Sequence, residues 1–194
     1  MTKEQWAENT AKLFYQIFSC DYDEKFLKKL LSGGGGNSAL GSTLYHTLGS
    51  FVHSRISKTS IEAFDEIGFS YTLKDNVVRI SKANIKSRWT LFSNNAKGAE
   101  KRRLAGKEFH FDHNPPTKML LHQISTEVKK VNDMTISFAE KISKLKNFML
   151  TGQTLDLITV EQDDERTKAD RKKLLTAEER DEILQDVWYD LIIE

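Results

Sequence analysis

The sequence predicts an α+β fold, mostly helical with a small β-hairpin component, and three observations predict it. Apolar residues recur at the spacing of a helix face over 3–31, over 117–150 and again from Thr176 onward. Short segments at Phe69–Ile80 and Glu108–Asp112 alternate apolar and polar side chains, as half-buried strands do. The 194 residues, 39% apolar and 29% charged, suffice for a modest core under a charged surface. Two prolines and ten glycines exclude a collagen-like or proline-rich chain. No apolar run approaches the roughly 20 residues of a membrane span, so no membrane partner is expected. The opening Met1-Thr2-Lys3-Glu4 is charged where a secretory leader is apolar, and the expected location is cytoplasmic. Cys20, the single cysteine, can form neither an internal disulfide nor a thiolate zinc cluster.

Residues 3–31 read as helix, with Trp6, Leu13, Phe14, Ile17 and Phe18 on one face and a break near Asp21-Tyr22-Asp23. Ser32-Gly33-Gly34-Gly35-Gly36-Asn37 lacks the Lys-Ser/Thr pair of a phosphate-wrapping loop and reads as a flexible connection. Helix resumes over 38–67, weakened by Gly41 and Gly49. Phe69 to Ile80 reads as a hairpin around Lys74-Asp75-Asn76, and Asn84 to Lys107 as a polar, basic loop anchored by Trp89 and Phe92. A strand at 108–112 ends at Pro115-Pro116, which suit the first turn of a helix. Residues 117–150 read as two helices, or one kinked near Asn132-Asp133. A short strand at Leu155–Thr159 follows, with Thr159 capping a further helix. Thr176-Ala177-Glu178-Glu179 opens a closing amphipathic helix that carries Ile183, Leu184, Val187, Trp188 and Leu191.

The formal net charge of +1 conceals an asymmetry. From Arg79 to Lys107 nine basic residues face Glu100 alone, whereas thirteen acidic residues meet six basic ones between Asp156 and Glu194. Such a basic stripe neutralises phosphate and releases counterions, although an isolated charge run is more often a solvated surface. Nucleic-acid contact through Lys97, Lys101, Arg102, Arg103 and Lys107 is favoured here because the stripe leads into the most reactive segment of the chain, Phe109-His110-Phe111-Asp112-His113-Asn114-Pro115-Pro116-Thr117-Lys118. The Asp112 carboxylate suits a hard cation, and the His113 imidazole suits proton abstraction near neutral pH. On a strand the two side chains leave in opposite directions, and a turn at that point would let both reach one site. His110, on the Asp112 face, can support the site or pack. Lys118 can hold a phosphate or be an ordinary helix-surface lysine. His46, His53 and His122 read as core or surface positions.

Asp112-His113-Asn114-Pro115-Pro116 resembles the Asp/Glu-His-x-x-Pro signature of the HNH, or ββα-metal, nucleases. Leu155-Asp156-Leu157-Ile158-Thr159-Val160-Glu161-Gln162-Asp163-Asp164 is similar to the strand-then-helix half of such sites in HNH-type restriction endonucleases, in which helices can be inserted between the halves. The resemblance spans roughly residues 108–170. It implies a ββα-metal nuclease core in which His113 is the catalytic base. Asp112 and Asp163 would bind one divalent ion, Mg²⁺ by preference with Mn²⁺ as the substitute. Asp163 stands where the family has its last ligand, with Asp164 and Glu161 as the other choices. The expected activity is metal-dependent hydrolysis of double-stranded DNA by a type II restriction enzyme acting as a homodimer. A non-enzymatic nucleic-acid-binding or regulatory module is the main alternative, and a non-specific nuclease toxin the other. On this reading residues 1–78 form a helical recognition or dimerisation region and 79–194 the basic loop and nuclease region, with one compact domain as the other arrangement.

If the basic stripe meets DNA, replacing Lys101, Arg102 and Arg103 together by glutamine weakens binding to all duplexes alike. The slope of log affinity against log salt then flattens by about 2–3 units, measured by fluorescence anisotropy across a salt series.

Overall fold

A computed structural model of the chain describes residues 2–23, 25–26, 52–86, 90–91, 109–151 and 153–194. In chain order the elements are α1 (Lys3–Phe18), β1 (His53–Ser57), α2 (Lys58–Ile67), β2 (Thr72–Lys74), β3 (Val77–Ile80), a 3₁₀ turn (Lys82–Asn84), β4 (Ile85–Lys86), β5 (Thr90–Leu91), β6 (Phe109–Asn114), α3 (Thr117–Asn132), α4 (Phe138–Leu150), β7 (Thr154–Thr159), α5 (Val160–Lys172), α6 (Ala177–Leu184) and β8 (Trp188–Ile193). The class is mixed α and β, with a six-stranded mixed sheet. The elements divide into two compact units, one from residues 1–52 and 115–153, the other from 53–114 and 154–194. The divisions fall within the chain at 52/53, 114/115 and 153/154.

The first unit is helical. Thr2 caps α1 in a reciprocal box with Gln5, and Ser137 does the same for α4 with Glu140, so each helix starts where its sequence supplies the cap. Trp6, Ala7, Ala11, Phe14 and Phe18 of α1 pack with Leu120, Leu121, Ile124, Val128 and Val131 of α3 and Ile142, Leu145 and Met149 of α4. The helix expected over 3–31 ends at Phe18, with Ser19 as its C-cap, before the anticipated break. Residues 27–51, with the glycine run and the two weakening glycines, lie outside the described residues.

The second unit is built on the sheet, in the order β2-β3-β8-β1-β7-β6. β1 runs parallel to β7 and antiparallel to β8, β3 runs parallel to β8, and β6 closes one edge antiparallel to β7. The β2–β3 hairpin turns as expected on Asp75 and Asn76, whose φ values of 53° and 62° belong to the left-handed region that Asp and Asn tolerate best among non-glycine residues. Three expectations are corrected. Residues 53–57 are strand rather than part of a helix over 38–67. Hydrogen bonding to β7 on one side and β8 on the other overrides local propensity, and α2 starts only at Lys58, capped by Ser57. The closing helix stops at Leu184, where Gln185 turns left-handed at φ 47°, and Trp188–Ile193 forms β8 between β3 and β1. The aromatic and β-branched run Trp188-Tyr189-Asp190-Leu191-Ile192-Ile193 fits a pleated surface, and the helical spacing of Val187, Trp188 and Leu191 is coincidental. Part of the expected basic loop is also strand, since Ile85–Lys86 pairs with Thr90–Leu91. Trp89 and Phe92 lie outside the described residues.

Candidate functional site

A row of charged residues crosses the sheet. Asp112 of β6 stands opposite Asp156 of β7, Asp156 is in register with Arg55 of β1, and Arg55 is in register with Asp190 of β8. Because side chains alternate along a strand, residues in one register row share one face. Onto that face α5 and α6 bring Arg166, Asp170, Arg180 and Asp181.

The groups converge tightly. Asp156, fully buried, accepts from Arg55 Nε at 2.7 Å, Arg55 Nη2 at 3.0 Å, Arg166 Nη1 at 2.8 Å and the Thr154 hydroxyl at 2.7 Å. Asp181 Oδ1 accepts from Arg55 Nη2 at 2.7 Å, Arg166 Nη2 at 2.9 Å and Asn114 Nδ2 at 2.9 Å. Asp112 Oδ2 meets Arg166 Nη1 at 3.1 Å and Arg180 Nη2 at 2.9 Å. Arg180 also faces Asp170 at 3.3 Å and donates to the His113 carbonyl at 2.7 Å. The Trp188 ring caps the group, its centroid 4.1 Å from the Arg55 guanidinium carbon and 5.2 Å from that of Arg166. Burial works against the Arg55 charge, but hydrogen bonds to Asp156 and Asp181 outweigh it and raise its pKa. Bidentate pairing and ring stacking are what a guanidinium does and an ammonium does not, which accounts for three arginines and no lysine in the cluster among the described residues.

α5 is positioned by Thr159, which caps it in a box with Gln162 as the sequence anticipates. Its inward face is polar. Gln162 accepts from the Ser57 hydroxyl at 2.8 Å and donates to Asp186 at 2.7 Å, and Arg166 enters the cluster one turn later.

Asp112 lies at the cluster's edge, half-buried, on the same face as the exposed His110. Asp163 on α5 is half-buried and within electrostatic reach of both. Burial raises its pKa, the charge of His110 lowers it, and the Asp112 carboxylate raises it again. Asp164 and Glu161 are exposed. His113 falls on the other face of β6, 8% exposed, because the strand stays regular through Asn114 and the turn that would have redirected its ring does not occur there. Burial pushes His113 down to about 4, so its ring is neutral through the physiological range. Lys118 is exposed on α3, in the helical unit. Lys97, Lys101, Arg102, Arg103 and Lys107 lie outside the described residues.

Among the described residues no three His, Cys, Asp or Glu side chains are arranged to hold a metal ion. Asp112 and Asp163 supply two hard oxygen donors of the kind Mg²⁺ takes, and a third protein donor is not present beside them in the described residues. Sequence reasoning missed Arg55, Arg166, Asp170, Arg180, Asp181 and Trp188. Two signals were available: Asp156 interrupts the apolar run Leu155–Ile158, and Asp163, Arg166 and Asp170 recur on one helical face. The chain matches no protein-family model, no curated protein and no solved structure.

Arg166→Met strands buried carboxylates and lowers unfolding stability by about 3–5 kcal/mol in urea titration, whereas Asp164→Asn on the exposed face leaves the midpoint unchanged. His113 gives a pH signature. Its pKa near 6.5 when unfolded drops to about 4 when folded, so the stability it contributes is complete above pH 6.5 and is lost as pH falls toward 4. Asp163 and Asp170, raised by burial, act in the opposite sense, losing their contribution as pH rises through their folded pKa values. His113→Gln therefore flattens the acid limb of a stability–pH profile between 6.5 and 4.

Proposed function

We propose that this chain is a metal-dependent DNA endonuclease of the restriction type, acting on double-stranded DNA. The observation that carries the reading is the order β6, β7, α5. Two antiparallel strands lead straight into a helix, with Asp112 on the first strand and Asp163 facing it electrostatically from the helix's first turns. The α3–α4 pair is the insertion between the two halves. Asp112 and Asp163 would hold one Mg²⁺, or Mn²⁺ in its place, and such an ion supplies charge stabilisation to phosphate oxygens and to the leaving group. His110, exposed on the Asp112 face, accepts the proton of the attacking water. His113, the base implied by the resemblance, serves the core through its buried ring. The basic stripe holds the DNA backbone, and symmetric cutting of a palindrome calls for a homodimer.

A second reading, a nucleic-acid-binding module without catalysis, draws on the two guanidiniums that already occupy Asp112 Oδ2. Plasmid incubated with Mg²⁺ or Mn²⁺, with and without chelator, separates the readings. Discrete chelator-sensitive fragments support the restriction enzyme, a smear indicates a non-specific nuclease, and intact plasmid with retained DNA binding favours the module. On the leading reading Asp112→Asn and Asp163→Asn abolish cleavage, and His110→Ala slows it by about 10²–10⁴-fold with DNA affinity kept.

A further inference from the structure

Lys118 and His122 share one exposed face of α3 with Thr126 and Lys129. Counted at about 100° per residue, the four fall within an arc of about 80°, turned away from the buried Leu120, Leu121, Ile124, Val128 and Val131. The stripe they form runs along about 17 Å of helix. Among the described residues the side chains of Lys118, His122 and Lys129 make no ion pair or hydrogen bond. Glu127, the one carboxylate in Thr117–Asn132, lies off the stripe and meets Lys130 at 3.1 Å, and Asp133 stands beyond the last turn as the C-cap. Lys12 and Lys58, by contrast, each meet a glutamate four residues away on their own helix.

We propose that this face of α3 is a contact for the phosphate backbone of duplex DNA. The identity of the polyanion rests on the function proposed above, and the contact depends neither on catalysis nor on a metal ion. Helix stability does not account for the stripe. Lys129 and Lys130 suit the negative end of the helix dipole, but Lys118 stands in the first turn, at the positive end. A cation is unfavourable there, and neither an acidic residue in that turn nor a side-chain cap offsets it. Toward an anion the sign reverses, and the dipole adds to the Lys118 charge. The spacing also fits. One strand of a duplex carries a phosphate about every 3.4 Å along its axis, so a stripe about 17 Å long spans about five of them. The Thr126 hydroxyl donates to the His122 carbonyl at 2.9 Å, which leaves the contact to the two ammonium groups and the ring N–H. Contacts of this kind hold a duplex in place without reading its bases.

The test uses the whole chain in chelator, so that no cleavage interferes, and a fluorescently labelled duplex of mixed sequence. Lys118→Gln/His122→Gln/Lys129→Gln is compared with Lys12→Gln/Lys58→Gln, which removes the same two formal charges from exposed positions elsewhere, and circular dichroism checks both folds. The triple variant is expected to bind about 10–100-fold more weakly than the parent, with the slope of log affinity against log salt shallower by about 2 units. The control is expected within about twofold of the parent, its slope unchanged, because distant exposed charges are screened. A second measurement needs no variant: duplex DNA shields Lys118 and Lys129 of the parent chain from acetylation, read by mass spectrometry, while Lys12 and Lys58 react as before. Should the triple variant lose its fold, the shielding decides. A folded triple variant that binds as the parent does, a control weakened as much as the triple variant, or Lys118 and Lys129 acetylated alike with and without DNA each overturns the α3 contact and leaves the nuclease reading standing. Shielding by vesicles of anionic lipid and not by the duplex assigns the face to a lipid surface and overturns it too. A parent chain with no affinity for the duplex fails the nuclease reading itself, and the inference falls with it.

Discussion

The sheet unit depends on one fully buried cation. Arg166 has no access to solvent, yet it satisfies carboxylates on β6, β7 and α6 at once. A charge in that position is costly unless paired, and each of its partners is in turn costly without it. Its neighbours follow from that constraint. Arg55 shares Asp156 and Asp181, Arg180 takes the remaining share of Asp112, and Trp188 covers two guanidinium faces. The network ties two helices with little apolar surface to the sheet through directional bonds, in place of the hydrophobic burial that holds the helical unit together.

The two units therefore illustrate different ways of holding a fold. In the helical unit the apolar positions of α1, α3 and α4 interlock, and shape tolerance is set by packing. In the sheet unit the other face carries an apolar layer in which Phe64 of α2 meets Phe69 and Phe109 at 4.4 and 4.8 Å between ring centres. The candidate site lies on the polar face. There geometry is imposed by hydrogen bonds with fixed angles, so carboxylate orientation is specified more narrowly than packing alone would allow.

Legibility in the sequence followed the same division. The helical unit was readable because the core residues of α1, α3 and α4 repeat at helical spacing. The β2–β3 hairpin announced itself through Asp75-Asn76. The strand status of Arg55 and Trp188 was not readable, since a central strand in a mixed sheet is decided by partners far along the chain. Within the site, Asp112 and His110 were singled out by their chemistry and shared strand face, and Asp163 only through the resemblance of its segment to the strand-then-helix half of an HNH site. Arg166 and Arg180 were not, because an inward polar helix face carries no hydrophobic signal, and only proximity in space shows that these arginines belong with Asp112.

The register of β6 and β7 bears on how the chain is joined. Asn114 and Thr154 are paired across the two strands, so the whole segment 115–153 leaves the sheet and returns to it at neighbouring positions. In topological terms that segment is the loop of a β-hairpin, enlarged until it contains two helices. Closing a loop becomes costlier only by about 0.6 kcal/mol for each doubling of its length, so growth from a tight turn to this size adds roughly 2 kcal/mol of entropy. The packing of α3 and α4 with α1 can offset a sum of that size. The hairpin register can then stay fixed while the helices it carries vary in length and sequence, which makes this connection a natural place for a lineage to exchange one appendage for another.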